Sequence, residues 1–203
     1  MDIELAEKIE TWFESHDENG DFVRSERTVP YTVVGPKQDQ TNIIYSTKPG
    51  LISEVMYEFP AASEFGLVGR CGLPNRSDVE WLRSFVGERT LCFFGDLDPG
   101  DLLVFAWLRA MLAPLQLMHI GVNECMLEKL GVSLADEITI PLSQSEQAAL
   151  ELLPGAFPDL REVVGRKCIQ LLDAGSKMEV EAIVCNREKT EQLLRLLGSS
   201  GNE

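Results

Sequence analysis

Apolar residues in this chain fall into runs whose spacing changes along its length. Over residues 2–15, Ile3, Leu5, Ala6, Ile9, Trp12 and Phe13 recur at helical spacing with acids between them. That pattern predicts an amphipathic helix packed on the body. Residues 16–29 are polar and charged and read as a loop. Short β-rich runs at 31–34 and 42–46 are separated by Gly35-Pro36-Lys37-Gln38-Asp39, which is turn chemistry. From residue 42 onward, strand-like and helix-like runs alternate. Strands are expected at 42–46, 65–69, 90–95 and 115–120, and helices at 50–59, 77–86, 101–112 and 124–130, with Asn75 or Ser77 capping the second helix. The strand runs are continuously apolar, the mark of a parallel sheet covered on both faces. The last third reads as helices at 143–153, 159–172 and 187–197, with a short apolar run at 180–184 and a disordered tail at 198–203. The expectation is an α/β fold with a mostly parallel sheet and helices on both faces. A segment of residues 1–38 precedes the α/β core at 39–140, and a mainly helical extension follows at 141–197.

Composition narrows the function. The 203 residues are 44% hydrophobic and 25% charged, close to the globular average. Eighteen basic and 33 acidic side chains give 18 − 33 = −15, which argues against coating nucleic acid or anionic membrane by bulk charge. Five scattered cysteines, with no C-x-x-C pair and only two histidines, make a thiolate zinc site a poor fit and suit reduced thiols in a cytoplasmic setting. The acidic N-terminus has no apolar leader core, and the apolar stretch 102–118 is broken by Arg109 and Pro114. It falls short of the ~20 residues of a membrane span, so a soluble protein is expected.

The chemistry concentrates in Phe93-Phe94-Gly95-Asp96-Leu97-Asp98-Pro99-Gly100. Asp96 lies where a central strand should end, and ligands of open α/β sheets bind at the carboxyl ends of strands. Asp96 and Asp98 can project toward one point. Two carboxylates that close repel unless a cation, a proton or a basic side chain lies between them. An all-oxygen pair favours Mg²⁺, Mn²⁺ or Ca²⁺. The competing account is a plain turn, with Asp101 capping the next helix. Near the same edge, His119 is a core histidine or a site neighbour. Arg70, Arg76 and Lys48 are phosphate-binding candidates or ion-paired surface residues, with Lys48-Pro49-Gly50 able to present an anion site at a helix start. Glu179 and Glu181 alternate along a possible strand. Tyr31 and Tyr45 read as core or interface residues.

Leu91 to Gly100, followed by a helix carrying Trp107-Leu108-Arg109, resembles the D-x-D strand–turn–helix of Toprim domains, in particular the topoisomerase VI A subunit and the nuclease subunit of Wadjet-type defence systems. Lys177-Met178-Glu179-Val180-Glu181-Ala182 is similar to a K-x-E-x-E-A segment of those subunits, and Leu73-Pro74-Asn75-Arg76-Ser77 starts a helix in the corresponding place. The resemblance covers about residues 40–185. It implies a Toprim-like sheet, Mg²⁺ or Mn²⁺ held by Asp96 and Asp98, and phosphodiester chemistry. The family's third carboxylate, at the end of the first strand, falls here on Tyr45 or Ser46. Asp39 and Glu54 are the nearest acids, and Glu54 could serve only if its helix leans inward. Nor does the N-terminal segment have room for the DNA-binding domain that carries the nucleophilic tyrosine of the topoisomerases. Three functions follow as expectations. One is a degenerate, non-catalytic or weakly catalytic module acting beside nucleic-acid processing machinery, through a protein partner or a second subunit that holds the nucleic acid. The others are a Mg²⁺-dependent nuclease and a phosphoryl or nucleotide enzyme acting on small molecules.

Overall fold

The computed structural model describes residues 1–16, 32–35, 41–134 and 138–199. The expected loop beyond residue 16, Tyr31, the turn at 36–39 with Asp39, and the tail from residue 200 lie outside the described residues. Five strands form one sheet: β1 (Thr32–Val34), β2 (Asn42–Ser46), β3 (Gly66–Gly69), β4 (Thr90–Phe94) and β5 (Leu117–His119), in the order β1-β3-β2-β4-β5. β3, β2, β4 and β5 are mutually parallel, and β1 adds an antiparallel edge to β3. β2 is central and buried at every position, and its middle, Ile43-Ile44-Tyr45, shows no polar alternation between the buried Asn42 and Ser46.

The helices follow from the connections. α2 (Pro49–Glu58) joins β2 to β3, α3 (Arg76–Val86) joins β3 to β4, and α4 (Pro99–Leu112) joins β4 to β5. The first connection runs one way along the sheet and the other two run back, so right-handed crossovers put α2 on one face and α3 and α4 on the other. Asn75 caps α3: its side chain accepts from the Asp78 amide, and Asp78 answers on the Asn75 amide. In α4 every residue from Leu102 to Leu108 is buried. A helix apolar all round must be covered all round, and α1 (Ile3–His16), α3, α6 (Gln144–Leu150) and α7 (Leu153–Ala156) pack against it. One carboxylate ties three of these helices together: Glu10 Oε1 accepts from Trp107 Nε1 at 3.0 Å and from Arg76 Nε at 2.9 Å. No described helix is long and apolar enough to cross a membrane.

α5 (Glu124–Leu130) follows β5, and the remaining elements are β6 (Ile140–Pro141), α8 (Leu160–Val164), α9 (Arg166–Asp173), β7 (Ser176–Lys177), α10 (Glu181–Val184) and α11 (Arg187–Ser199). Four expectations are corrected here. The helix expected at 159–172 is two helices broken at Gly165, which has φ +92° and where a Cβ would come within 2.4 Å of the Glu124 Cβ. The extended piece near residue 180 lies upstream, as β7 paired with β6, while 181–184 is helical. Residues 198 and 199 belong to α11 and not to a tail. α4 starts at Pro99 because proline's missing N–H costs nothing at the first helical position.

Candidate acidic site at the strand switch point

The connections after β2 and β4 leave in opposite directions, which opens a crevice beyond their carboxyl ends. Thr47 and Lys48 leave β2 there, and Gly95 to Asp98 leave β4. Asp98 is the N-cap of α4, its Oδ1 accepting from the Asp101 amide at 2.8 Å. Asp101 folds back: its Oδ2 accepts from the Asp96 amide and from Thr47 Oγ1, each at 2.6 Å. Residue 95 has to be glycine for this closure, since a Cβ there would lie 2.4 Å from Asp101 Oδ2 and 2.9 Å from Thr47 Oγ1. The spacing thus brings Asp96 and Asp98 together as expected, and it adds Asp101. One ligand oxygen from each of the three lies within 4.8 Å of the others.

Asp96 is 4% exposed and both its oxygens are engaged. Oδ2 meets Lys48 Nζ at 2.8 Å, and Oδ1 accepts from the Val180 amide at 2.8 Å. Beside it, Leu97 and Met178 exchange two backbone hydrogen bonds, so the segment after β7 lies directly over the D-x-D turn. Lys48 Nζ also reaches Glu181 at 2.5 Å and Glu179 at 3.9 Å, and Lys177 Nζ binds Glu146 at 2.7 Å and Glu179 at 3.2 Å. Four carboxylates, those of Asp96, Glu146, Glu179 and Glu181, therefore surround two ammonium groups.

The electrostatics follow from burial. Asp96 is pushed up to about 7 by burial and by the charge of Asp98, against the pull of Lys48 and the Val180 N–H. Burial also raises Asp98, and burial together with the charges of Asp98 and Asp96 raises Asp101 well above the carboxylate range. Burial works against the charge on Lys48, but its bonds to Asp96 and Glu181 outweigh that and hold it protonated. The oxygen set suits a hard dication such as Mg²⁺ or Mn²⁺. Within the fold, however, Lys48 is the cation on Asp96.

The other sequence candidates scatter. Glu54 is exposed on α2 and stands outside the carboxylate trio. Arg70 Nη1 is bound to Asp78 at 2.8 Å and Arg76 to Glu10, so both guanidiniums serve ion pairs between elements. Tyr45 is buried and stacked on Phe93. His119 stacks on Phe93 and meets Phe105 edge-on, with both ring nitrogens buried and without a hydrogen-bond partner among the described residues. Burial and the charge of Arg109 lower it to about 3, so the ring is neutral. Sequence reasoning missed Asp101 as a member of the trio and Glu146 as the partner of Lys177. The Asp98-x-x-Asp101 spacing of an N-cap and its third helical residue is a signal for the first, whereas Glu146 is brought in only by tertiary packing. No protein-family model matches this chain, and no curated protein matches it in sequence.

Proposed function

We propose that the chain is a degenerate Toprim-like module, non-catalytic or weakly catalytic, that acts as an interaction or regulatory partner of nucleic-acid processing machinery. The observation that carries this reading is the Lys48 ammonium 2.8 Å from Asp96 Oδ2, where a dication would have to bind. Ser46, with no charge to offer, ends β2, and its hydroxyl accepts from the Lys48 amide at 3.1 Å. Each aspartate of the trio already has a bond internal to the fold: Asp96 to Val180, Asp98 to the start of α4, Asp101 to Thr47. A dication at Asp96 would have to displace Lys48 from its Oδ2, and the Val180 amide already holds its Oδ1.

A second reading, a Mg²⁺-dependent phosphodiesterase, is supported by the convergence of the three carboxylates. Asp96, Asp98 and Asp101 would then hold the ion, and Lys48 would have to leave Asp96. The ion would supply Lewis-acid stabilisation to the phosphodiester. Incubating labelled DNA and RNA with the protein in Mg²⁺ or Mn²⁺, beside Asp96→Ala, separates the two. Equal background cleavage by both proteins is expected. Cleavage that vanishes in Asp96→Ala replaces the first reading with the second. Co-purification from the native host is expected to bring a protein partner, and a chain that emerges alone counts against the interaction role.

A further inference from the structure

We infer that residues 176–184 form a strap closed over the acidic corner, and that Lys48 is the lock that holds it shut. The inference deepens the reading above and rests on it for what the opened corner would serve. Strap and corner meet along a narrow seam. It consists of the two backbone bonds between Leu97 and Met178, the Val180 amide on Asp96 Oδ1, and the side chains of Met178 and Val180, both fully buried. The strap's own regular structure is slight: two residues of β7 and four of α10. Upstream the strap leaves from Gly175, whose φ of +76° is open to glycine, and it is anchored there by the Gly175 carbonyl, which accepts from the Leu142 amide at 2.8 Å, and by the pairing of β7 with β6, so the part free to lift is residues 178–184.

One ammonium group spans the seam. Lys48 Nζ holds Asp96 on the corner side and Glu181 on the strap side, with Glu179 at 3.9 Å. Without that charge, Asp96 faces Glu179 and Glu181 across the seam. Lys177, the other ammonium at the site, belongs to the strap and is engaged by Glu146 and Glu179. Like charges at such separations repel, and a short segment with few backbone bonds is the part of a fold that opens first. Opening the strap presents Asp96, Asp98 and Asp101 together, so the strap sets the access of any cation to the corner.

Hydrogen–deuterium exchange on the intact chain tests this, comparing wild type with Lys48→Met, Glu181→Gln, the double variant and Lys48→Arg. The amides of Leu97, Met178 and Val180 are expected to exchange about tenfold faster or more in Lys48→Met and Glu181→Gln, while those of β2 and β4 keep their wild-type rates. The double variant should exchange no faster than the faster single one, because both remove the same contact. Lys48→Arg should restore protection. Unchanged exchange at the three amides overturns the lock. Acceleration shared equally with β4 also overturns it, since that would mark a general loss of stability. If Lys48→Met does not fold, Glu181→Gln carries the same comparison. Failure of the nuclease and partner experiments would leave this exchange pattern as it stands, so the two readings fail separately.

Discussion

His119 is an expensive residue as it stands. Its ring fills space between Phe93 and Phe105 as a phenyl group would, yet it brings two nitrogens that bond to nothing among the described residues. A buried polar atom left unpaired costs about 1–3 kcal/mol. Protonation adds to this. The ring's value falls from the ordinary 6.5 to about 3 in the fold, so the unfolded chain takes up the proton first. The stability tied to the neutral ring is whole above pH 6.5 and is lost as pH falls toward 3, by a few kcal/mol in all, about 1.4 per unit. His119→Phe keeps the stacking and removes both costs. Urea unfolding should show the variant about 1 kcal/mol more stable at pH 7.5 and further ahead at pH 4.5. A variant less stable at both values would mean that the nitrogens have partners after all.

At the scale of elements, the N-terminus of α4 decides most of the site. A strand end, a proline in the first helical position and an aspartate before it are all visible in the sequence, and they were enough to bring Asp96 and Asp98 to one point. What stayed hidden depends on close approach between distant segments. Only glycine fits the break at residue 165 because Glu124 stands where a Cβ would go, and Glu179 and Glu181 flank Lys48 because 176–181 folds back over the turn. The cap also allows a clean test of the corner's electrostatics. Asparagine caps as well as aspartate, so Asp98→Asn keeps the bond from the Asp101 amide and deletes one of three mutually repelling charges. The carboxyl of Asp98 is raised by burial, so the fold favours its neutral form. That contribution is full below the unfolded value of 3.8 and disappears as pH rises through the raised one. Thermal melts at pH 8 should place Asp98→Asn about 1–2 kcal/mol above wild type, roughly 3–6 °C, with the gap closing toward pH 4. A lower melting temperature at pH 8 would mean that the charge at Asp98 stabilises the fold.

Over the whole molecule, one hydrophobic cluster runs from Ala6 to Leu197 and draws on the N-terminal segment, the core and the helical extension alike. Composition shifts mark where the chain changes element type, but not which segments share a core. The C-terminal region supplies Met178, Val180, Ile183, Leu193, Leu194 and Leu197, each at most 1% exposed. At about 2 kcal/mol per side chain, losing all six costs about 12 kcal/mol, as much as the 5–15 kcal/mol that holds a typical domain together. A chain ending at Gly175 is therefore expected to lack a cooperative melting transition, as followed by circular dichroism, and a sharp transition would show that the sheet stands alone. The same arrangement bears on the order of events at the ribosome. The parallel strands have all been made once His119 emerges, whereas Val180, which bonds Asp96, comes 84 residues after it. A nascent chain thus carries its acidic tip bare until residues 178–181 have been made and come to rest on it.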